Sequence, residues 1–458
     1  MKYTKLILKK FGKIKKAEIE LSPFLLFIGD NNSGKSYLMT LIYGLIKYYD
    51  EIEKILFENE NFILNCDIYK EIAPIIEKNI KANRNNDNKI FLTTKELELF
   101  NNLLNVLLNK NKEEIINYIF NSNNEINLYD IALDLNIDRL KIQIKNKNEI
   151  FYKYNYFKSK PIISGVNIAP QSNNLNFCKE IIRIIFEKCI EYTKGNSINR
   201  SVFLPTSRTG FLLTHKELSK KSIREKYGKN NNNKITILQN PIMDFIDNLI
   251  DLSFHKLNER KEYNEIFNIF KNNILNGDIK INKETDSIHY EPTNNKDLQF
   301  LMYLSSAVIT EVTPLFLFLK YDTLYNTFFI EEPEMSLHLK LQKEIARILI
   351  NLVNINKHII ISTHSDTILE HINNMVKLKG IKDKEKRNSL IKNYSYTKND
   401  FLDVGKVRIY QFDTDESDST DIIELKGDES TGFYISTFHN YIDKASDEYY
   451  NIYNEIAD

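Results

Sequence analysis

Within the first 50 residues the spacing of apolar positions changes from that of strands to that of a helix. The segments KYTKLILKKF and IKKAEIEL have a period close to two, and the apolar run FLLFI follows them and ends at Gly29. Alternation predicts strands, because successive side chains of a strand point to opposite faces. From Ser36 the apolar residues of SYLMTLIYGLIKYY recur at helical spacing. The pattern therefore predicts a strand, a glycine-containing loop and a helix, in that order.

The middle of the chain has a different pattern. From about residue 50 to residue 120, Leu and Ile recur at helical spacing. RLKIQIKNKNEIFYKYNY then alternates like a β-hairpin, and FCKEIIRIIFEKCIEYTKG has the pattern of an amphipathic helix. We predict a mainly helical insertion with a β-hairpin at residues 50–200. It would separate an N-terminal part at residues 1–49 from a C-terminal part at residues 201–458.

The C-terminal part alternates between predicted strands and helices. VFLP begins it as a strand, and FLMYLSSAVITEVTPLFLFLKY predicts a long, mostly apolar helix. TFFI, LKLQKEIARILINLVN and KHIIIS then predict a strand, a helix and a strand. This alternation is the signature of an α/β sheet. We therefore predict an α/β fold with a mixed sheet flanked by helices.

The loop after the third predicted strand carries the strongest chemical signal. Its sequence GDNNSGKS matches the phosphate-binding pattern G-x-x-x-x-G-K-[ST] in full. Glycines let backbone N–H groups curl around phosphate oxygens, while the lysine reaches the β- and γ-phosphates and the last serine ligates Mg²⁺. An ordinary glycine turn is the alternative, but the required strand and helix flank this loop. The predicted nucleotide contacts are Gly29, Asp30, Asn31, Asn32, Ser33, Gly34, Lys35, Ser36 and Tyr37.

Two acidic residues follow the apolar strand TFFI. Glu331 and Glu332 lie where the carboxyl end of a strand meets the ligand crevice of an α/β sheet. We predict that Glu331 holds Mg²⁺ and that Glu332 is the catalytic residue that polarises the attacking water. Acids at a strand end are also common on solvated surfaces, and the upstream phosphate loop is what favours the functional interpretation.

A histidine follows the next predicted strand. His364 in IIISTHSD comes one helix after the acidic strand, which puts it on a neighbouring strand at the same sheet edge. A lone histidine after a strand is usually structural. Here its position favours a contact with the γ-phosphate. His364 and Lys35 therefore join Glu332 as predicted catalytic residues.

Composition narrows the remaining possibilities. The 458 residues include 62 Lys and Arg and 62 Asp and Glu, so net charge does not favour nucleic acid, a membrane or an acidic partner. The three cysteines form no CxxC, which favours a reducing compartment. No apolar run has the length of a membrane span. We expect a folded cytoplasmic protein without a membrane segment.

The three motifs, in this order, resemble those of the ABC-type ATPase superfamily. His364 is similar to the switch histidine of that superfamily, and Glu332 is similar to its catalytic glutamate. The segment LSSA, which contains Ser305 and Ser306, is similar to its LSGGQ signature. Ser-Ala replaces Gly-Gly in that signature, and Glu331 replaces the usual aspartate of the acidic strand.

These departures point to a narrower group. Together with FLPTSRTGF, SSAVITEVTPL and EEPEMSLH, they look like the stand-alone "AAA" ATPases of the OLD and Septu PtuA-like group (AAA_15/AAA_21-like). The resemblance covers about residues 1–48 and 200–440. It implies an ABC-type P-loop NTPase head, interrupted by the mainly helical insertion, that binds and hydrolyses ATP with Mg²⁺.

The resemblance also implies partners. Two heads would sandwich two ATP molecules in a homodimer or a higher homo-oligomer, each head offering Ser305 and Ser306 to the other's γ-phosphate. The chain would be the sensor or regulatory subunit that gates a separately encoded effector, a nuclease, in bacterial anti-phage defence.

Two finer assignments come from the same resemblance. Arg208 or Gln171 would take the place of the Q-loop glutamine of the family. Phe11 and Lys13 resemble the edge-strand residues that flank the adenine and the phosphates in these heads. A lysine on an edge strand also protects that edge from pairing, which is the simpler explanation for Lys13.

Charged clusters leave other functions open. The chain has two basic clusters: seven lysines in residues 2–16, and a second cluster from His215 to Lys234. They would suit a DNA-repair ATPase of the RecF type that binds duplex DNA. A solvated face is the alternative explanation. An ATP-bound scaffold with little turnover is a third hypothesis. Asp413 and Asp415 have the spacing of Toprim nuclease acids, but the acids continue as DESDSTD, which favours a solvated loop.

Overall fold

The structure, a computed structural model, is built around one large sheet. It describes residues 3–82, 91–122, 125–135, 140–145, 149–154, 162–167, 173–190, 201–227, 238–252, 256–258, 260–282, 284–295, 297–321, 324–434, 446–450 and 452–453.

Strands open the chain, and a run of helices follows the first three of them. The strands are β1 (Lys5–Phe11), β2 (Ile14–Glu20), β3 (Phe24–Gly29), β4 (Leu128–Asp134), β5 (Leu140–Lys145), β6 (Glu149–Tyr154), β7 (Ile162–Asn167), β8 (Ser201–Leu204), β9 (Gly277–Asn282), β10 (Ser287–Pro292), β11 (Phe300–Leu301), β12 (Thr327–Glu331), β13 (His358–Thr363), β14 (Val407–Thr414), β15 (Thr420–Leu425), β16 (Gly427–Asp428) and β17 (Gly432–Phe433). The helices are α1 (Lys35–Lys47), α2 (Tyr49–Phe57), α3 (Glu60–Asn65), α4 (Asp67–Ala82), α5 (Thr94–Lys110), α6 (Lys112–Phe120), α7 (Asn174–Ile190), α8 (Arg208–Tyr227), α9 (Asn240–Asp251), α10 (Asn264–Asn268), α11 (Ala307–Lys320), α12 (Leu339–Asn354), α13 (Asp366–Gly380) and α14 (Lys384–Asn393).

Within the described residues the main sheet has nine strands in the order β4-β1-β2-β15-β14-β3-β13-β12-β8. Strands β14, β3, β13, β12 and β8 run parallel, whereas β4, β1 and β2 pair antiparallel, as do β14 and β15. The predicted α/β class with a mixed sheet is confirmed by this arrangement. Because parallel strands end at the same edge, the loops after β3, β8, β12 and β13 meet there.

Strand β3 is apolar along most of its length because helices cover both faces of the sheet. Leu25 and Phe27 belong to one core, with apolar residues of α1 to α7. Phe24, Leu26 and Ile28 belong to the other core, with apolar residues of α8 to α13. A continuous apolar sequence is typical of a central parallel strand that is buried on both sides.

The chain between α1 and β8 forms six helices and four strands in the described residues. Strand β4 pairs antiparallel with β1 and so extends the main sheet, which the sequence pattern did not predict. Strands β5, β6 and β7 form a separate antiparallel sheet, with β5 and β6 in the segment predicted as a hairpin. Apolar residues of α2 to α7 share one core with α1 and β1.

Helix α5 covers the outer edge of β4 with asparagine side chains. Asn109 donates through Nδ2 to the Ile131 carbonyl oxygen at 2.7 Å and accepts from the Ile131 N–H at 2.9 Å. Asn105 forms the same two hydrogen bonds with Leu133, at 3.2 Å and 2.8 Å. These amides satisfy backbone groups that an edge strand otherwise leaves unpaired, so the sheet ends at β4.

The long apolar helix predicted over residues 300–321 is shorter in the structure. Residues 300–304 form β11 and a 3₁₀ turn, and α11 begins only at Ala307. Ser305 and Ser306 have extended backbones, with ψ of 160° and 158°, and Ser306 is the N-cap residue. The prediction was wrong for residues 300–306, because two serines with extended backbones precede the helix and the apolar run on either side concealed that break.

Two further observations concern hydropathy and cysteines. No helix in the part of the chain that the structure covers combines the length and the hydropathy needed to cross a membrane. Cys66, Cys178 and Cys189 are free cysteines, and the last two are buried.

Candidate functional site

The loop between β3 and α1 has a backbone conformation that depends on its glycines. Gly29 and Gly34 have positive φ angles of 130° and 96°, and Asn32 has a φ of 60°. A Cβ atom on Gly29 would lie 2.3 Å from the carbonyl oxygen of Phe412 on the neighbouring strand β14. The loop therefore needs glycine at position 29 both for its conformation and for its close approach to β14.

Lys35 begins α1 and folds over this loop. Its Nζ donates to the carbonyl oxygens of Gly29 at 2.9 Å and Asp30 at 2.5 Å, and to the hydroxyl of Ser33 at 3.2 Å. Burial lowers the pKa of Lys35 to about 8, against the opposing effect of nearby carboxylates. The ammonium is held by carbonyl oxygens, without a direct carboxylate partner in the described residues.

Glu331 ends β12 and is buried beside the loop that follows β8. Its Oε2 accepts from the backbone N–H of Thr206 at 3.1 Å and from the Thr206 hydroxyl at 3.2 Å. Strands β8 and β12 are parallel neighbours, which brings their carboxyl ends together. Sequence reasoning missed Thr206, although its position directly after a predicted strand was a signal that could have found it.

Glu332 has an unusual backbone conformation at the next position. Its φ is +42°, which costs a residue other than glycine about 1–3 kcal/mol. Its N–H donates to the Ser362 carbonyl oxygen at 2.8 Å, and its carbonyl oxygen accepts from Arg208 Nη2 at 2.9 Å and from the Met335 N–H at 3.0 Å. These three bonds, from three different segments, hold Glu332 in a conformation it would not otherwise adopt.

Arg208 lies in the interior, and 3% of its side chain is exposed. Its Nη1 donates to the carbonyl oxygen of Glu331 at 2.6 Å, and its Nη2 lies 2.5 Å from Oε1 of Glu311 on α11. Thr209 also donates to Glu311, at 2.6 Å. Arg208 thus joins α8, α11 and the end of β12. The alternative Q-loop candidate, Gln171, lies outside the described residues.

His364 follows β13, and its backbone is held by a half-buried carboxylate. Glu334 accepts from the His364 backbone N–H at 2.6 Å and from the Thr363 hydroxyl at 2.9 Å. Burial raises the pKa of Glu334. Burial first, and then the charge of Lys35, lowers the pKa of His364, so its imidazole is neutral at pH 7. Glu334 was not singled out from the sequence, because only the two acids directly after the strand, Glu331 and Glu332, were given roles.

The predicted residues from three separate segments converge at one sheet edge. The charges of Glu332, Asp30 and Glu334 all act on the pKa of Lys35. The charge of Lys35 in turn acts on the pKa of His364. Charges act on one another's pKa mainly at short range, so these groups lie near each other. The edge therefore combines a cation, several carboxylates and a neutral imidazole around the phosphate loop.

Aromatic residues lie beside the start of α1. Tyr37 is 46% exposed, and its ring stacks on Phe120 with 5.7 Å between centroids. Phe11, predicted to flank adenine, is 1% exposed and contacts both rings edge-on. Lys13 forms an ion pair with Asp418 at 2.6 Å. Tyr37, predicted only as a nucleotide contact, is thus more accessible than Phe11, the ring predicted to flank the adenine.

The signature-like serines form backbone hydrogen bonds within their own segment. The Ser305 N–H donates to Met302 at 3.0 Å, and the Ser306 carbonyl oxygen accepts from Thr310 at 3.1 Å. Before them, Tyr303 and Leu304 are 67% and 64% exposed. These two exposed side chains give the segment before α11 an apolar surface.

Ion pairs account for much of the N-terminal lysine cluster. Four of its lysines lie within 2.6–2.8 Å of a carboxylate oxygen: Lys9 of Asp130, Lys13 of Asp418, Lys15 of Asp415 and Asp421, and Lys16 of Glu18. Of the second basic cluster, His215 is buried and contacts the Leu212 carbonyl oxygen. Lys229 and Lys234 lie outside the described residues. The nucleic-acid hypothesis stays a prediction.

The candidate nuclease acids have protein partners. Asp413 accepts from the Gln411 side chain at 2.7 Å, and Asp415 accepts from Ser417 and pairs with Lys15 at 2.8 Å. Among the described residues no group of three or more His, Cys, Asp or Glu side chains is arranged to hold a metal ion. A metal at the phosphate loop would therefore need oxygen ligands from the nucleotide and water as well.

The fold and this edge define a P-loop ATPase by their phosphate loop, acidic strand end and histidine. The family model described as AAA ATPase domain (AAA_15) matches residues 1–369. The chain belongs to this family, and the general resemblance to AAA ATPases is confirmed. The narrower OLD and PtuA-like grouping stays a prediction. A search of curated proteins found no match.

Solved structures similar to the chain include heads of SMC proteins. An SMC head bound to the C-winged helix domain of ScpA has 14% identity and a TM-score of 0.35, covering 93% of this chain and 98% of that chain. The SMC head domain from Thermotoga maritima has 11% identity and a TM-score of 0.32, covering 93% and 99%. An SMC head with an extended coiled coil, bound to the C-terminal domain of ScpA and derived from Pyrococcus furiosus, has 13% identity and a TM-score of 0.33, covering 99% and 100%. Scores this low do not establish a shared fold, so the fold class rests on the sheet itself.

Proposed function

We propose that the chain binds ATP with Mg²⁺ at the edge formed by β3, β12 and β13 and hydrolyses it. The observation that carries this proposal is the electrostatic convergence of Lys35, Glu332 and His364, which come from three segments of the chain. A glycine turn without a binding role would not require these groups to lie near it.

Phosphate binding would use the loop and its lysine. The Lys35 ammonium now donates to two loop carbonyl oxygens, and γ-phosphate oxygens are stronger acceptors for the same donors. The backbone N–H groups of residues 29–36 at the start of α1 would bind the other phosphate oxygens. Tyr37, on the first turn of α1, is exposed and would contact the base or ribose.

The residues present suit Mg²⁺ by their chemistry. Ser36 offers an exposed hydroxyl at the start of α1, and Glu331 offers a carboxylate oxygen at the end of β12. Hard oxygen ligands completed by water and phosphate are the usual environment of this ion. When bound, Mg²⁺ would neutralise charge on the phosphates.

Hydrolysis would be an in-line displacement. The Glu332 carboxylate orients a water molecule whose oxygen bonds to the γ-phosphorus while the bond to the bridging oxygen breaks. The neutral His364 imidazole donates a hydrogen bond to the γ-phosphate, and Lys35 balances its developing charge. The bonds that fix the backbone of Glu332 and of His364 reduce the reorganisation needed in this step.

A second copy of the chain would complete the site. Ser305 and Ser306 precede α11, whose first N–H groups have no side-chain cap and suit an anion. The exposed Tyr303 and Leu304 beside them supply apolar area for an interface. We therefore propose an ATP-sandwiched homodimer or higher homo-oligomer. By resemblance, its engagement gates an effector nuclease in anti-phage defence in the cytoplasm.

The test compares wild type with Glu332→Gln and with Glu385→Gln, an exposed residue of α14 that serves as a matched control. We expect Glu332→Gln to bind ATP like wild type but to hydrolyse it roughly 10²–10⁴-fold more slowly. Light scattering should show its mass double with ATP and Mg²⁺. The control should behave as wild type in both assays.

Three outcomes would change the proposal. Wild-type turnover by Glu332→Gln would show that the catalytic assignment is wrong. A constant oligomer with negligible turnover in wild type would favour the scaffold. ATP-enhanced, salt-sensitive DNA binding without a partner would favour the RecF-type function.

A further inference from the structure

A cavity separate from the phosphate-loop site lies between α12, α13 and the segment around α14. Its volume is about 470 Å³, within the range of small-molecule sites. Lys343 of α12 lies on one side, and Thr367, His371 and Asn374 of α13 form another. None of these residues belongs to the phosphate-loop site. The cavity therefore needs its own explanation.

The lining carries a net positive charge. Lys343 and Lys377 both line the cavity, and Glu370 is the carboxylate among the lining residues. Neither lysine forms an ion pair with any described residue; Lys343 is half-buried, whereas Lys377 is exposed at the rim of the cavity. Two uncompensated ammonium groups at a cavity favour an anionic ligand.

Aromatic side chains stand next to these cations. The Lys343 ammonium lies 4.8 Å from the centroid of the Tyr396 ring. Tyr394 stacks on Tyr396 with 5.9 Å between centroids, yet it remains 58% exposed. A large part of the Tyr394 ring is thus open to a ligand. Planar ligands stack favourably on such surfaces.

A buried histidine in the cavity lining offers an unused hydrogen-bonding group. His371 is 4% exposed, and its Nε2 has no hydrogen-bond partner in the described residues. Burial first, and then the charge of Lys343, lowers the pKa of His371 to about 4, so the ring is neutral near pH 7. An unpaired buried nitrogen costs folding free energy that a bound ligand can offset with one hydrogen bond.

We infer that this cavity binds a small molecule that combines an aromatic ring with an anionic group. The anionic group would lie at Lys343 and Lys377, and the ring would lie against Tyr394, with Asn374 and Thr367 available to its polar edge. A nucleoside monophosphate and an aromatic carboxylate share this chemistry. Helix α13 begins two residues after His364, so the ligand would contact the helix that continues from the ATPase site.

The test uses a Lys35→Ala background, so that nucleotide bound at the phosphate loop does not contribute. Equilibrium dialysis measures binding of adenosine monophosphate in one arm and of 4-hydroxybenzoate in the other. We expect at least one to bind at a single site per chain. Adding Lys343→Met or Tyr394→Ala should weaken binding about tenfold or more.

Lys384→Met on α14 is the matched control, because Lys384 is exposed and does not line the cavity. It should leave binding unchanged. Melting curves confirm that each variant is folded, and Lys377→Met replaces Lys343→Met if that variant is not. If neither compound binds at millimolar concentration, or if binding survives both the lysine and the tyrosine substitutions, the inference is wrong. Neither result depends on ATP hydrolysis.

Discussion

Replacing Glu311 with Gln tests the buried ion pair behind the acidic strand. Glu311 and Arg208 are 4% and 3% exposed, and Glu311→Gln keeps the shape of the side chain while it removes the negative charge. Leaving one charge of a buried pair without its partner costs about 3–5 kcal/mol. A chain of 458 residues has an unfolding entropy near 1 kcal/mol per kelvin, so the melting temperature should fall by about 3–5 °C.

The same variant should affect catalysis more than ATP binding. The Arg208 guanidinium also donates to the carbonyl oxygens of Glu331 and Glu332, and it will move if Glu311 no longer balances its charge. The strained backbone of Glu332 then loses one of its three hydrogen bonds. We expect kcat to fall by about tenfold or more while the Kd for ATP stays within a few-fold.

Thermal unfolding, steady-state ATPase kinetics and ATP titration measure these effects. Asp67→Asn is the control, because Asp67 pairs with Lys70 on the exposed surface of α4 and its loss should leave the melting temperature and kcat unchanged. Unaltered stability in Glu311→Gln would refute the energetic reasoning. Lower stability with unaltered kcat would refute the link between α11 and Glu332.

Four other substitutions or conditions have clear expected results. The affinity for ATP should fall by up to about tenfold per pH unit above pH 8, because the pKa of Lys35 without bound nucleotide is about 8 and phosphate binding requires the ammonium. Calorimetry above pH 8 should show that ATP binding is accompanied by proton uptake. Gly29→Ala should abolish ATP binding and lower the melting temperature, since its Cβ would lie 2.3 Å from the Phe412 carbonyl oxygen. Gly12→Ala, with a φ of +54° and nothing within 4 Å, should cost only about 1–2 kcal/mol in the same denaturation assay. Asn109→Ala should cost about 1–3 kcal/mol and promote association detectable by light scattering, because it unpairs the edge of β4.

The elements that carry their own periodicity could be predicted from the sequence. β3, α1, β12 and β13 each have a local pattern and a flanking motif, and the structure has them within a few residues of their predicted positions. The strand β4 could not be predicted as part of the main sheet, because its pairing with β1 joins residues more than 100 positions apart. Such long-range pairing leaves no mark in a local window.

In the candidate site, too, some residues could be predicted from local sequence and others could not. The phosphate loop, Glu332 and His364 could be named from motifs, and the structure brings them together. Glu334 and Glu311 could not, since their roles arise from burial and from partners far along the chain. For Arg208 the sequence suggested a contact near the nucleotide, whereas the structure shows a guanidinium directed at backbone carbonyl oxygens.

The asparagines of α5 show how a helix can serve as the neighbour of a strand. Four helical residues rise about 6 Å, and two strand residues span about 6.6–6.8 Å, so Asn105 and Asn109 match Leu133 and Ile131 almost without strain. The difference accumulates with each step, and Asn101, one step further, reaches only the Leu133 carbonyl oxygen at 3.1 Å. The next partner in this series would be Leu135, which lies beyond the end of β4 at Asp134, so the helix pairs with the strand over two repeats and no further.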